Sequence, residues 1–217
     1  MSSSYSSSSM SSSHNSHQHQ QFRHLPSSST RGDAPIIIGY AHDAKSCKAE
    51  RAILDGINVI IWSFVHLDVD GTSATTDQQQ QQKIRGKIRT DLDLEIIRKI
   101  RNKYIHVVHL AAFGGWNGPH PPPHANLSGK EWCRVFLKFN QDHGNIFDGI
   151  DWDYEGHDDI SSPTSRFTLD TLDIMVDFSV EAKRQGLIVS MAPAESYLDS
   201  TIQSGSSIDA QFSFALN

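Results

Sequence analysis

From Pro35 onward, apolar runs bounded by turn residues alternate with stretches of helical periodicity, which restricts the chain to an α/β fold built on a parallel sheet. Ile36 to Ala41 reads as a first strand and Lys45 to Leu54 as a short helix closed by Gly56. Ile57 to Leu67 is nearly all apolar, as a strand covered on both faces must be. Asp70-Gly71 and the Gln78 to Gln82 tract form a polar loop. The next helix, Asp91 to Lys103, sets Leu92, Ile96, Ile97 and Ile100 on one stripe. His106 to Phe113 is a third strand, followed by a loop rich in Gly and Pro. Ser128 and Glu131 are spaced as a capping box for a helix that buries Trp132, Val135, Phe136 and Phe139. A fourth strand starts at Ile146. Ser162-Pro163 opens a helix through Lys183, with Leu169, Leu172, Met175 and Val176 inward and Gly186 at its end. Leu187 to Ala192 is a fifth strand, and Gln211 to Leu216 offers one further short apolar segment.

The fourth strand carries the chemistry. In Phe147-Asp148-Gly149-Ile150-Asp151-Trp152-Asp153-Tyr154-Glu155-Gly156, strand geometry turns Asp151, Asp153 and Glu155 to one side, with Asp148 out of phase. Three acids so close raise one another's pKa, and desolvation adds to the effect. Such an arrangement suits a site that delivers a proton. A solvated acidic strand end is the plainer reading of a bare DxDxE pattern.

The run Asp148-x-x-Asp151-x-Asp153-x-Glu155 resembles the DGxDxDxE signature of the family 18 glycoside hydrolases, the chitinase family, where it closes the fourth strand of a TIM (β/α)8 barrel. Ala112-Phe113-Gly114-Gly115-Trp116 resembles that family's third-strand SxGG element, and Met191-Ala192-Pro193-Ala194-Glu195 the end of its fifth strand. The resemblance implies that Glu155 is the general acid, that Asp153 holds and polarises the sugar's N-acetyl group, that Asp151 supports Asp153, and that Asp148 is structural. It also implies substrate contacts at Trp116, Gly115, Tyr40 and Met191, and needs neither a cofactor nor a metal. Ala112 departs from the pattern: the family usually has a Ser there that bonds the first inward aspartate, so Asp151 must find another partner or sit less firmly ionised. The tyrosine that follows the family's sixth strand and the tryptophan of its eighth have no counterpart here. A full barrel has eight βα units in about 250 residues. About five units are present, so the C-terminal part of the barrel is expected to be missing from this chain.

Residues 1–35 are different material. Ser, His and Gln dominate them, which predicts a disordered tail ahead of a partial catalytic domain over 36–217. The family implies an extracellular protein, yet this tail shows no 7- to 15-residue apolar core of a secretory signal. Neither its histidines nor Arg31-Gly32-Asp33 needs a functional reading in so biased a segment. With a net charge of -6, the chain lacks the electrostatic footprint of a nucleic-acid or membrane-surface binder. A neutral polysaccharide fits that balance. Cys47 and Cys133 are too few for a disulfide framework and read as buried thiols on helices.

Three functions follow from the resemblance. One is hydrolysis of β-1,4 linkages between N-acetylglucosamine units of chitin or chito-oligosaccharides. Another is sugar binding without turnover, as in the chitinase-like lectins, and the third is endo-β-N-acetylglucosaminidase action on N-glycans. Packing is the expected role of Trp62, Phe64, Phe113 and Trp152, whereas Trp116, after the paired glycines, is expected to face substrate. His157, Asp158 and Asp159 could bind an ion, line the cleft or form a solvated acidic loop.

Overall fold

The computed structural model describes residues 35–42, 46–70, 85–159, 161–165 and 168–193. The Ser-rich segment, the glutamine tract, Glu195 and the apolar segment after Gln211 lie outside the described residues. Among those described, the elements in chain order are β1 (Ile38–Ala41), α1 (Ser46–Leu54), β2 (Val59–Asp70), β3 (Arg85–Thr90), α2 (Leu94–Lys103), β4 (Val108–Gly115), α3 (Gly129–Asp142), β5 (Gly149–Tyr154), α4 (Leu169–Arg184) and β6 (Ile188–Met191). Strands β1, β2, β4, β5 and β6 lie side by side in that order, all parallel, joined by helical crossovers. This is a half-barrel of TIM type.

Two apolar layers separate its faces. On the helix side, Ile60, Trp62, Ala111, Phe113, Ile150 and Trp152 pack with Ile97, Ile100, Phe136 and Phe178 in one cluster. Facing the other way, Val59, Ile61, Val108, Leu110 and Ala112 form a smaller cluster with Phe64 and Ile188. Because side chains alternate along a strand, this second face is the barrel interior, and it also takes Asp151 and Asp153. Trp62, Phe113 and Trp152 are packing residues on the outer side, as expected.

Two sequence expectations need correction. Arg85–Thr90, to which the sequence pattern assigned no element, is a strand paired antiparallel with the far end of β2. Its residues, Arg-Gly-Lys-Ile-Arg-Thr, carry too few apolar side chains to signal a strand. Cross-strand pairs supply what the pattern hides: Lys87 meets Asp70 at 2.9 Å and Arg89 meets Asp68 at 3.3 Å. The fourth helix also begins later than expected. Pro163–Ser165 forms a single 3-10 turn, and Thr168 caps a helix that starts at Leu169. Its buried stripe is Thr171, Met175, Phe178 and Ala182, while Leu169 and Val176 are exposed. The Ser128–Glu131 capping box forms as read. Cys133 is buried in α3, its thiol pushed up to about 12 by desolvation. Cys47 falls on α1, and its side chain lies outside the described residues.

Candidate active site

Asp148 anchors the strand that carries the acids. It is fully buried at the entry to β5 and is gripped by both arms of the Arg101 guanidinium, at 2.6 and 2.8 Å. The backbone N–H of His109 donates to the same carboxylate at 3.0 Å. A buried carboxylate needs such donors, and a bidentate arginine is the strongest available. This clamp ties α2, β4 and β5 together below the site. Asp148 therefore faces away from the other acids, as its phase in the strand requires.

Asp151 and Asp153 then project from β5 into the barrel interior, with Glu155 one residue past the strand end. Asp151 is 1% exposed. The Tyr40 hydroxyl donates to its Oδ2 at 2.7 Å, and the Ser190 hydroxyl donates to its Oδ1 at 2.5 Å. These are the partners that the absence of a serine at position 112 made necessary. Ala112 does stand directly beside Asp151 in the β4–β5 register, and its methyl group can donate nothing.

Asp153 is buried with its carboxyl pushed up to about 7, first by desolvation, then by the charges of Glu155 and Asp151. Tyr40 is held above the ordinary phenol range by burial, by its bond to Asp151 and by the three neighbouring carboxylates. Near neutral pH the row thus carries fewer negative charges than it has acids.

The loops after β4 and β5 are stitched together over this mouth. Gly114 and Gly115 both have positive φ, 113° and 85°. A Cβ on Gly114 would lie 2.5 Å from the Asp153 carbonyl oxygen, and one on Gly115 would lie 2.5 Å from the Phe64 ring. Only glycine lets β4 pass so close to the carboxylate strand. Beyond them, the Trp116 indole N–H and the Asn117 amide both donate to the Asp158 carboxylate at 2.8 Å, and the Asn117 carbonyl accepts from the Asp158 N–H at 2.8 Å. Those bonds hold the Asp158 carboxyl below its usual range. His120 Nε2 lies 3.1 Å from the Glu155 carbonyl oxygen, and the Asn117 N–H donates to the Gly156 carbonyl. Asp158 is thus a loop tether, while Asp159 bonds locally to Ser161 and His157, and no group of metal-ligating side chains occurs among the described residues.

Of the residues expected to touch substrate, Tyr40, Trp116 and Met191 are 42%, 48% and 52% exposed. Trp116 projects from the tethered loop, while Tyr40 and Met191 lie near the upper ends of β1 and β6. Gly115 makes room for Phe64. Sequence reasoning missed Ser190, His120, Asn117 and the tethering role of Asp158. For Ser190 a signal existed: it sits one residue before Met191, in phase with the interior face of its strand.

Comparison with known proteins agrees with this architecture. The chitinase domain of the spore coat protein CotE from Clostridium difficile superposes with a TM-score of 0.50 at 14% identity, over 82% of this chain and 48% of that one. Chitinase ChiW from Paenibacillus sp. gives 0.50 at 16% identity, over 76% of this chain and 22% of that one. The chitinase ChiB of Flavobacterium johnsoniae gives 0.47 at 14% identity, with 71% of this chain and 44% of that chain covered. This chain therefore spans less than half the length of these solved chitinase chains. No curated protein matches it. The sequence description of the glycosyl hydrolases family 18 matches residues 36–214, a span that takes in every acid of the β5 row and all of the described strands. With motif, half-barrel and family match coinciding on the same residues, the chain belongs to glycosyl hydrolase family 18.

Proposed function

We propose that this chain supplies the acid-bearing half of a hydrolase that cleaves β-1,4 linkages between N-acetylglucosamine units in chitin or chito-oligosaccharides, with Glu155 as the general acid. The observation that supports this reading best is the row of Asp151 and Asp153 on β5 and Glu155 just past its end, with burial and the neighbouring charges raising the Asp153 carboxyl. In the substrate-assisted route, the Glu155 carboxyl transfers its proton to the glycosidic oxygen as the bond from that oxygen to the anomeric carbon breaks. The carbonyl oxygen of the sugar's own N-acetyl group forms the new bond to the anomeric carbon. Water then attacks that carbon, giving a proton back to Glu155 as the bond from the carbon to the acetamido oxygen breaks, so the N-acetyl group is restored and the sugar leaves with retained configuration.

Asp153 holds the N-acetyl group against the anomeric carbon, and its charge rises as positive charge develops on the cyclic intermediate. Its elevated pKa suits that role, because the proton it keeps near neutral pH can be shared with Glu155. Asp151 fixes Asp153 from below. Tyr40 and Trp116 stand on the approach to these acids, whereas Met191, in register with Trp152, is turned to the opposite face of its strand from Ser190 and is not assigned a substrate contact.

A chromogenic chito-oligosaccharide tests the reading. Hydrolysis that Glu155→Gln abolishes, with oligosaccharide binding retained, is the expected result. Binding without turnover by the unchanged chain would instead favour a lectin-like role. Release of glycans from a high-mannose glycoprotein, with chitin untouched, would move the substrate to N-glycans.

A further inference from the structure

Asp151 is the most enclosed of the three site carboxylates, and its environment is uneven. An ionised carboxylate offers only acceptor sites, so burial leaves it dependent on whatever donors flank it. Asp151 lies in register with Ala112 of β4 on one side and Ser190 of β6 on the other. The β4 flank is a methyl group. The β6 flank presents a hydroxyl 2.5 Å from Oδ1. That hydroxyl lies 3.4 Å from the Ile150 carbonyl, so its proton is committed to the carboxylate. From β1, Tyr40 occupies Oδ2. Among the described residues, the titratable groups facing Asp151 are Tyr40 across the barrel interior and Asp153 and Glu155 on its own segment, while β4 and β6 contribute no charge beside it.

From this geometry we infer that Ser190 is a positioning residue of the carboxylate row: its hydroxyl holds Asp151 in place from β6, doing what β4 cannot do through Ala112. Only the kinetic consequence rests on the hydrolase reading. Removing the hydroxyl takes away a dipole that partly compensates the Asp151 charge beside Asp153, so a second negative charge on Asp153 is less favourable. The Asp153 titration therefore moves upward. Turnover falls with little change in substrate affinity, because Ser190 touches the acids and not the sugar.

The experiment uses the full chain with carboxyl-labelled aspartate. A 13C NMR titration follows the Asp153 carboxyl carbon, and kcat and KM are measured on a chromogenic chito-oligosaccharide. Ser190→Ala is expected to raise the Asp153 midpoint by about half a pH unit and lower kcat about tenfold, with KM within about twofold. Ser190→Thr, which keeps a hydroxyl, and Ala112→Ser combined with Ser190→Ala, which supplies one from the opposite flank, are expected to restore both. A midpoint in Ser190→Ala within about 0.1 pH unit of the parent overturns the inference, as does failure of both restorations. Should Ser190→Ala not fold, Ala112→Ser alone decides, since a second flanking donor must lower the midpoint and an unmoved one overturns the inference. The titration needs no turnover. A chain that hydrolyses nothing yet shows these shifts sinks the hydrolase reading and leaves Ser190 in its role.

Discussion

The elevated pKa of Asp153 makes the site a measurable liability to the fold. An aspartate ordinarily titrates at 3.8, and burial with the neighbouring charges lifts Asp153 to about 7. For a group whose folded pKa is raised, the contribution to stability is fully present below the unfolded value and is lost as pH rises through the folded one. Between those limits the unfolded chain releases a proton that the folded chain must keep. At about 1.36 kcal/mol per pH unit, the full loss is roughly 4 kcal/mol, and the part falling between pH 4.5 and 8.5 is about 3 kcal/mol. Asp153→Asn keeps the shape and removes the titration. Its amide brings an offset of its own, so the decisive quantity is the change in the difference between variant and parent across that pH range, in which the offset cancels. Urea denaturation at the two pH values measures it. The variant is expected to gain about 3 kcal/mol relative to the parent on going to pH 8.5, a shift of about 1 to 2 M in the urea midpoint. Parallel pH dependences for the two proteins would refute the claim that Asp153 pays a desolvation and charge penalty.

Three other outcomes follow from the same geometry. Arg101→Met strands the buried Asp148 carboxylate and is expected to cost about 3 to 5 kcal/mol by chemical denaturation, much of it recovered when Asp148 is replaced by Leu in the same chain. Gly114→Ala forces a Cβ against the Asp153 carbonyl at a φ of 113° and is expected to lose about 2 kcal/mol or more, read as a lower thermal midpoint. Trp116→Ala, at an exposed position, is expected to change stability by less than about 1 kcal/mol while weakening chito-oligosaccharide binding about tenfold by calorimetry.

What the sequence revealed and what it hid separate along one physical line. Elements whose residues alternate or repeat against a core were readable: the buried β2, the apolar stripe of α2, and the capping box of α3 all form where periodicity placed them. The β3 strand was not, because its stability comes from pairing with β2 and from cross-strand charges, neither of which leaves an apolar period. The start of α4 was misplaced because Ser162-Pro163 imitates a helix start that a 3-10 turn satisfies. In the site, the phase of the strand separated Asp148 from Asp151, Asp153 and Glu155, since phase is a property of one segment. Partners across strands are not. Ser190, 39 residues from Asp151 in sequence, becomes its donor only because β6 pairs beside β5 in one particular register.

That difference also explains how the site tolerates Ala112. The fold brings five parallel strands to one interior, so a carboxylate on β5, flanked by β4 and β6, can draw a donor from either neighbouring strand or from β1 across the curve of the sheet. A position that looks deficient along the chain is then complete in space. The requirement is on the number of donors around Asp151, which Tyr40 and Ser190 meet with one for each oxygen. Moving the β6 donor to β4 should therefore preserve the charge pattern of the row, whereas removing it from both should not. On the inference drawn for Ser190, the supporting residue should be exchangeable between strands, while the position of the acid it supports is fixed by the phase of β5.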